Sequence, residues 1–393
     1  MIWRKTIDFT IEAFEKLKSE EFTRATMQYG GATNSYPCSI LRRCYKMETI
    51  KYCNKLNELG NPLFVGLRYF TVDDEFLKLV HEGPYMSLKD YVKKHRDDFF
   101  IMEGKFKELF YVSPLLQKLT RELLVATKEI NDHGIELFPV LSSVYLYIGS
   151  GGTISIKVSP LQCRPKPLIS DLSNRLSAEF EDSMVGCCVE VIESLFQMVN
   201  ASPINELIDL KQRARSKKWW EDLNELFAHP FFWSSGEHES VLMSVHMHMQ
   251  RPQASKPPNI LMGGLDLLAD ELKNEWDKQH KCWNGPWTTA FDSGFVIPRV
   301  WQNKLDDSET IIRLTRNLMA HHNNHDFYLY GTQWYYRKDL YIHFMNRTHN
   351  LSVALFNTVQ TVQKKFERGV YQGTKDWIQR IGKLLSIQCY LKV

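Results

Sequence analysis

What this chain can fold into is constrained most by two motifs in a fixed order: His229-Pro230-Phe231-Phe232-Trp233 and, well downstream, Arg316-Asn317-Leu318-Met319-Ala320-His321-His322. Read as a helix, the second motif places residues four apart on one face, so Arg313, Asn317 and His321 form a stripe with Arg316 beside it. Cleaving RNA without a metal asks for a base to take the 2′-OH proton, a cation against the phosphorane and an acid for the departing 5′-oxygen. Histidine titrates near neutrality and suits the acid; arginine's planar fork suits the phosphate; the Asn317 amide adds a neutral hydrogen bond. The same residues also fit a solvated basic helix with two ordinary histidines, so the surroundings have to decide.

The flanks are helical. Apolar residues at 261, 265, 268, 272 and 276 recur at helical spacing across Ile260–His280, which leads to Trp283 and Trp287. Downstream, Asp339-Leu340-Tyr341-Ile342-His343-Phe344-Met345-Asn346-Arg347 leads into Leu351 and a helical Val353–Val362. The first part of the chain is mixed. Met47–Leu59 reads as a helix, Asn61-Pro62-Leu63-Phe64-Val65-Gly66-Leu67 as a turn and Glu75–Val80 as a strand. Ser87-Leu88-Lys89-Asp90-Tyr91-Val92 opens a helix, and Leu115–Asn131 carries a long helical periodicity that ends at His133-Gly134-Ile135. The fold class expected is therefore α+β.

In this order the N-terminal elements resemble a protein kinase. Asn61–Leu67 resembles the turn before the fourth strand, Ser87–Val92 the start of the helix after the hinge, and Glu181-Asp182-Ser183-Met184-Val185-Gly186 the buried central helix. His229-Pro230-Phe231-Phe232 resembles the closing turn of the C-lobe. The resemblance implies a degenerate bilobal kinase fold without its chemistry. The catalytic-loop aspartate falls on Pro139, the metal-binding asparagine on Val144, the Asp-Phe-Gly on Pro160-Leu161-Gln162 and the β3 lysine on Leu41. No glycine-rich phosphate loop precedes Leu41, Gly30-Gly31 being only a turn signal, and Cys163–Phe180 holds no Ala-Pro-Glu. Phosphoryl transfer needs carboxylates on metal, so neither kinase activity nor tight magnesium–nucleotide binding is expected, and no cofactor is implied.

Residues 230–363 resemble the kinase-extension nuclease family, in which an all-helical ribonuclease domain follows a kinase fold. The shared features are the Arg-Asn-x-x-x-His signature at 316–321, the tryptophan before the preceding loop, the block ending near Arg347 and the terminal helix. The resemblance implies a degenerate N-lobe over 1–85, a pseudokinase C-lobe over 86–233 and an RNA-cleaving domain over 234–393, active as a homodimer on RNA. Arg316 then neutralises the phosphate, Asn317 positions it and His321 is the general acid. The chain departs from the family at its catalytic tyrosine, the position of Asn303. An asparagine side chain accepts no proton at neutral pH, which leaves His322 or Lys304 to substitute as base.

Composition excludes other classes. A chain of 393 residues has ample length for two or three domains, and a net charge of +3 leaves nucleic-acid binding to a local patch. Lys211, Arg213, Arg215, Lys217 and Lys218 make one candidate, which reads more simply as a solvated interhelical loop. The eight cysteines show no metal spacing, and the adjacent Cys187 and Cys188 lie in a helical apolar run. His246-Met247-His248 alternates like a strand pair of metal ligands just beyond a helix, but without a carboxylate cluster beside it; no metal is expected. Trp219-Trp220 are expected to pack the last C-lobe helices. No apolar run is long enough to span a bilayer, so a cytoplasmic or nuclear protein is expected and the sequons at Asn346 and Asn350 carry no weight.

Overall fold

The computed structural model describes residues 9–11, 23–29, 32–42, 54–60, 62–72, 76–81, 85–103, 109–137, 139, 141–149, 151–159, 163–165, 174–201, 203–214, 223–249, 260–281, 312–313 and 351–367. The chain is α+β and divides into two compact units. The first comprises Met1–Phe100, Ser113–Pro203 and Lys211–Leu223; the second comprises Ile101–Val112, Ile204–Leu210 and Asn224–Val393.

The first unit opens with an antiparallel sheet of β1 (Phe9–Ile11), β2 (Thr23–Tyr29), β3 (Ala32–Arg42), β4 (Leu67–Val72) and β5 (Phe76–His81). Its order is β1-β2-β3-β5-β4. β2 and β3 stay in register up to Tyr29↔Ala32, the pair that flanks Gly30-Gly31. A helix over 54–59, α1, falls between β3 and β4 in the chain.

After β6 (Met86–Ser87) the first unit turns helical, with α2 (Leu88–Lys94), α3 (Arg96–Phe99) and α4 (Pro114–Asp132). Each start has a local cause. The Ser87 hydroxyl accepts from the Asp90 amide at the head of α2, and Ser113 accepts from the Leu116 amide at the head of α4, where Pro114 presets the first helical φ. α4 turns one face inward through Leu116, Leu119, Leu123, Leu124, Thr127 and Ile130. The Thr120 and Thr127 hydroxyls on that face donate back to Leu116 O and Leu123 O at 2.7 and 2.8 Å, so neither is buried unpaired. The helix ends where Gly134 takes φ +72°, a conformation that side-chain-bearing residues rarely adopt.

Beyond α4 come β9 (Ile135–Leu137), β10 (Val144–Ile148), β11 (Ile154–Val158) and β12 (Cys163–Pro165). β10 and β11 form a hairpin in register Val144↔Val158, with β6 on the far side of β10, while β9 pairs antiparallel with β12. The long α5 (Asn174–Met198) follows and packs on α4. On it, burial pushes the Cys188 thiol up to about 12, with its sulfur 3.1 Å from the Thr127 hydroxyl. That places the vicinal pair in packing rather than thiolate chemistry. A two-stranded ribbon, β7 (Phe100–Glu103) with β8 (Leu109–Val112), lies in the chain between α3 and α4.

In the second unit, three helices pack on one another: α8 (Ser235–Met249), α9 (Ile260–Lys281) and α10 (Leu351–Glu367). Trp276 of α9 is wholly buried, and Leu351, Ala354, Leu355, Val359 and Val362 form the inner face of α10. Leading into them are α6 (Asn205–Ala214), α7 (Leu223–Phe227) and a 3-10 turn at Pro230–Phe232. Among the described residues no helix is long and apolar enough to cross a membrane.

Candidate functional site

Within the first unit, the strand pair β9–β12 and the β10–β11 hairpin bracket the segment that the sequence reading compares with a kinase catalytic loop. Pro139 is buried there, residues Leu141–Ser143 form one 3-10 turn, and Val144 enters β10 with no exposed surface. A Ser143 carbonyl accepting from the Ser159 amide at 2.9 Å draws the turn onto the end of β11. The position compared with the kinase base is thus a buried proline and the one compared with its metal-binding asparagine a buried valine; neither side chain can take a proton or coordinate a metal. Leu41 lies on β3 opposite Leu77. Pro160, Leu161 and Gln162 fall outside the described residues.

Charge near this loop serves structure. Glu122 of α4 accepts the Ile156 amide at 2.8 Å, and Lys118, one turn earlier, donates to Ile154 O at 2.7 Å. Burial pushes the Glu122 carboxyl above its usual range, against the pull of the Ile156 amide and Lys118.

Of the residues that the sequence points to for RNA chemistry, Arg313 is described: it is helical and exposed, directly after the wholly buried Ile312. Asn303, Arg316, Asn317, His321 and His322 lie outside the described residues, as do Lys304 and Trp219-Trp220.

Two expectations need correction. His246-Met247-His248 lies inside α8 rather than beyond a helix; residues two apart on a helix point about 200° apart, so they do not alternate as on a strand. His246 is buried, Met247 is exposed, and no group of three or more metal-ligand side chains occurs among the described residues. Lys211 and Arg213, expected in a loop, stand in the last turn of α6. Lys211 is engaged by Glu193 at 2.6 Å and Glu190 at 3.7 Å. Lys211 is thus held in an ion-pair network in the first unit rather than open to phosphate.

The second unit holds a polar cluster that periodicity alone does not reveal. His229 has no exposed surface; its Nε2 lies 2.8 Å from an Asp209 carboxylate oxygen, and its Nδ1 accepts the Phe231 amide at 3.2 Å. A ring nitrogen that accepts carries no proton, so this geometry fixes a neutral imidazole that donates to Asp209. Phe356 meets the His229 ring edge-on at 5.4 Å and Trp233 at 6.0 Å, and Trp233 meets His238 at 5.0 Å. Burial lowers the His238 pKa to about 3. The trace of this cluster in the sequence is the His229-Pro230 start of the first motif; Asp209 carries no local mark.

No protein-family model matches the chain, and no curated protein matches it. Among solved structures, the crystal structure of Rad53 1-466 in complex with AMP-PNP overlaps 54% of this chain at 15% identity, with a TM-score of 0.34. This chain spans about half (54%) of that one. No family follows from it.

Two further lysines among the described residues of the second unit bind helix to helix. Lys365 of α10 reaches Glu271 and Glu275 of α9, each at 2.6 Å, and Lys364 lies 3.6 Å from Glu225. Burial opposes ionisation of Glu275, but Lys278 and Lys365 outweigh it and hold the carboxyl below its usual range.

Proposed function

We propose that this chain is a non-phosphorylating kinase-like scaffold continued by a helical domain that cleaves RNA without a metal. The kinase-like half draws support from topology: the sheet order β1-β2-β3-β5-β4, one helix between β3 and β4, β6 leading into α2, and β9 with β12 around the β10–β11 hairpin. The observation that supports the loss of phosphoryl transfer is the burial of Pro139 and Val144 where a base carboxylate and a metal-binding amide would be required. Calorimetry is expected to find no micromolar, magnesium-dependent ATP binding.

The RNA-cleaving half rests on the motif at 316–321 and on the setting of its first residues. With Ile312 buried and Arg313 exposed, a helical stripe through 313, 317 and 321 would begin on the solvent side, where a phosphate backbone has access. In this reading Arg316 neutralises the phosphorane, Asn317 orients it, and His321 protonates the 5′-oxygen, leaving a 2′,3′-cyclic phosphate. The proposed active form is a homodimer. The test is incubation of the full chain with a structured RNA in EDTA, with end-group analysis of the products. Activity is expected to survive the chelator and to fall about 10²–10⁴-fold in His321→Ala; cleavage by the variant at the unmutated rate would sink the assignment.

Asn303 favours a second reading, a non-catalytic dimerisation or regulatory module. A chain that dimerises yet leaves RNA intact across the pH range, in both wild type and Asn303→Tyr, would establish that one.

A further inference from the structure

The stripe of α8 opposite its buried face holds no charge. At about 100° per residue, Gly236, Ser240, Met243 and Met247 fall within about 60° of one another. Val241, Leu242, Val245 and Met249, on the other side, are buried. Gly236, Ser240 and Met247 are exposed and Met243 is half-buried. Met247, at 65%, is more exposed than any other large apolar side chain among the described residues. A Cβ added at Gly236 would meet nothing within 4 Å, so this position is an open notch. From Ser240 to Gln250 the sequence has no Asp, Glu, Lys or Arg. On α9, by contrast, Lys273, Asn274 and Lys278 take exposed positions. Glycine and serine are poor helix formers, and at exposed positions they gain no packing within the chain in return. A helix without charge on either face is one that is covered on both.

Steps of four, three and four residues separate the members of this stripe, the spacing of a heptad seam, and they read the same from either end. Laid antiparallel on itself about a two-fold axis between Val241 and Leu242, the helix sets Met247 of one copy against Gly236 of the other, and Met243 against Ser240. Each large side chain then faces a small one, on both sides of the axis. Such self-complementarity is what a two-fold contact between identical surfaces requires, and a charged partner has nothing here to pair with. We propose that α8 packs on α8 of a second copy of this chain through Gly236, Ser240, Met243 and Met247. The pairing rests on the homodimer reading above and gives it a surface. With 15 residues α8 is about 22 Å long, so this seam alone covers less than the roughly 1,200 Å² of a stable complex. The copies therefore pair in a concentration-dependent equilibrium.

Sedimentation equilibrium on the full chain, over about a hundredfold range of concentration, tests it. The wild type is expected to self-associate. Ser240→Arg sets a guanidinium against Met243 of the other copy and is expected to weaken that association about tenfold or more. Ser240 is exposed, so the variant is expected to keep the circular dichroism and melting temperature of the wild type. The register is read separately. Oxidising a mixture of Gly236→Cys and Met247→Cys is expected to give a disulfide between positions 236 and 247, located by peptide mass, that neither variant forms alone. A wild type that associates no better than Ser240→Arg, or a mixture without the 236–247 link, would overturn the α8 pairing and leave the homodimer to another surface. A wild type that stays monomeric at every concentration would overturn both. No RNA enters either experiment, so the result is independent of whether RNA is cut.

Discussion

Acidification should destabilise the second unit through His238. This side chain titrates at 6.5 when solvated and at about 3 in the folded protein, because burial removes the water that would stabilise its charge. A depressed folded pKa means that the unfolded chain binds the proton first. The stability contributed by the neutral ring is complete above the unfolded value and drains away as pH falls from there toward 3. At pH 5 the solvated histidine is 1.5 units below its midpoint, and at 1.36 kcal/mol per unit this gives about 2 kcal/mol lost relative to neutral pH. His238 keeps part of its surface, so that figure is a ceiling and about 1 kcal/mol a reasonable floor. The perturbation is His238→Phe, which retains a ring against Trp233 and removes the titration. Urea unfolding at pH 7 and pH 5, for wild type and variant, isolates the effect as a difference of differences. Glu206, whose carboxyl burial pushes upward, acts in the opposite sense but is common to both proteins and cancels. The variant should lose about 1–2 kcal/mol less than wild type between the two pH values. Equal losses would refute the reasoning.

Trp276→Ala should cost about 3–5 kcal/mol in a urea titration, since it empties a wholly buried site on α9; a cost under about 1 kcal/mol would mean that the site is not packed. Lys365→Met should cost about 1 kcal/mol at low salt, Lys365 being partly exposed, and less in high salt. Part of that loss should return in the double variant with Glu275→Gln, because the carboxylate left behind is nearly buried; a loss independent of both salt and Glu275 would exclude the ion pair as its source. If RNA is cut, cleavage should rise with pH, because Asn303 cannot act as base; Asn303→Tyr should raise the rate near pH 7, and a fast wild type slowed by that change would transfer the role to another residue, His322 first.

Long amphipathic helices were legible because one periodic signal specifies them. Leu115–Asn131 is observed as Pro114–Asp132, extended at its head by the Ser113 cap, and Ile260–His280 as Ile260–Lys281. Val353–Val362 lengthens to Leu351–Glu367 because its polar last turns are held by side-chain pairs, Lys364 to Glu225 and Lys365 to α9, that no local pattern announces. α8 eluded the same logic at its end, where the spacing of His246 and His248 imitates a strand. Asp209 could not be read either. Its partner, His229, is twenty residues away, and only folding brings carboxylate and imidazole to 2.8 Å. For the candidate site, the sequence supplies residue types and order, while the arrangement around Pro139 and Val144 needs the strand pairings β9–β12 and β10–β11.

The short contacts from α4 to β11 have a consequence for solubility. β11 is the last strand of its sheet, and such an edge offers its amides and carbonyls as a template on which a second molecule can add a strand. Lys118 occupies Ile154 O, Glu122 occupies the Ile156 amide, and the 62–65 segment takes both groups of Val158. Two side chains one helical turn apart thus stand in for a neighbouring strand. A carboxyl already raised in pKa by burial is the weaker of the two caps, since protonation leaves it a poorer acceptor. Loss of the Glu122 carboxylate, by protonation or by substitution, would leave the Ile156 amide uncovered on that edge and open it to a strand from a second molecule.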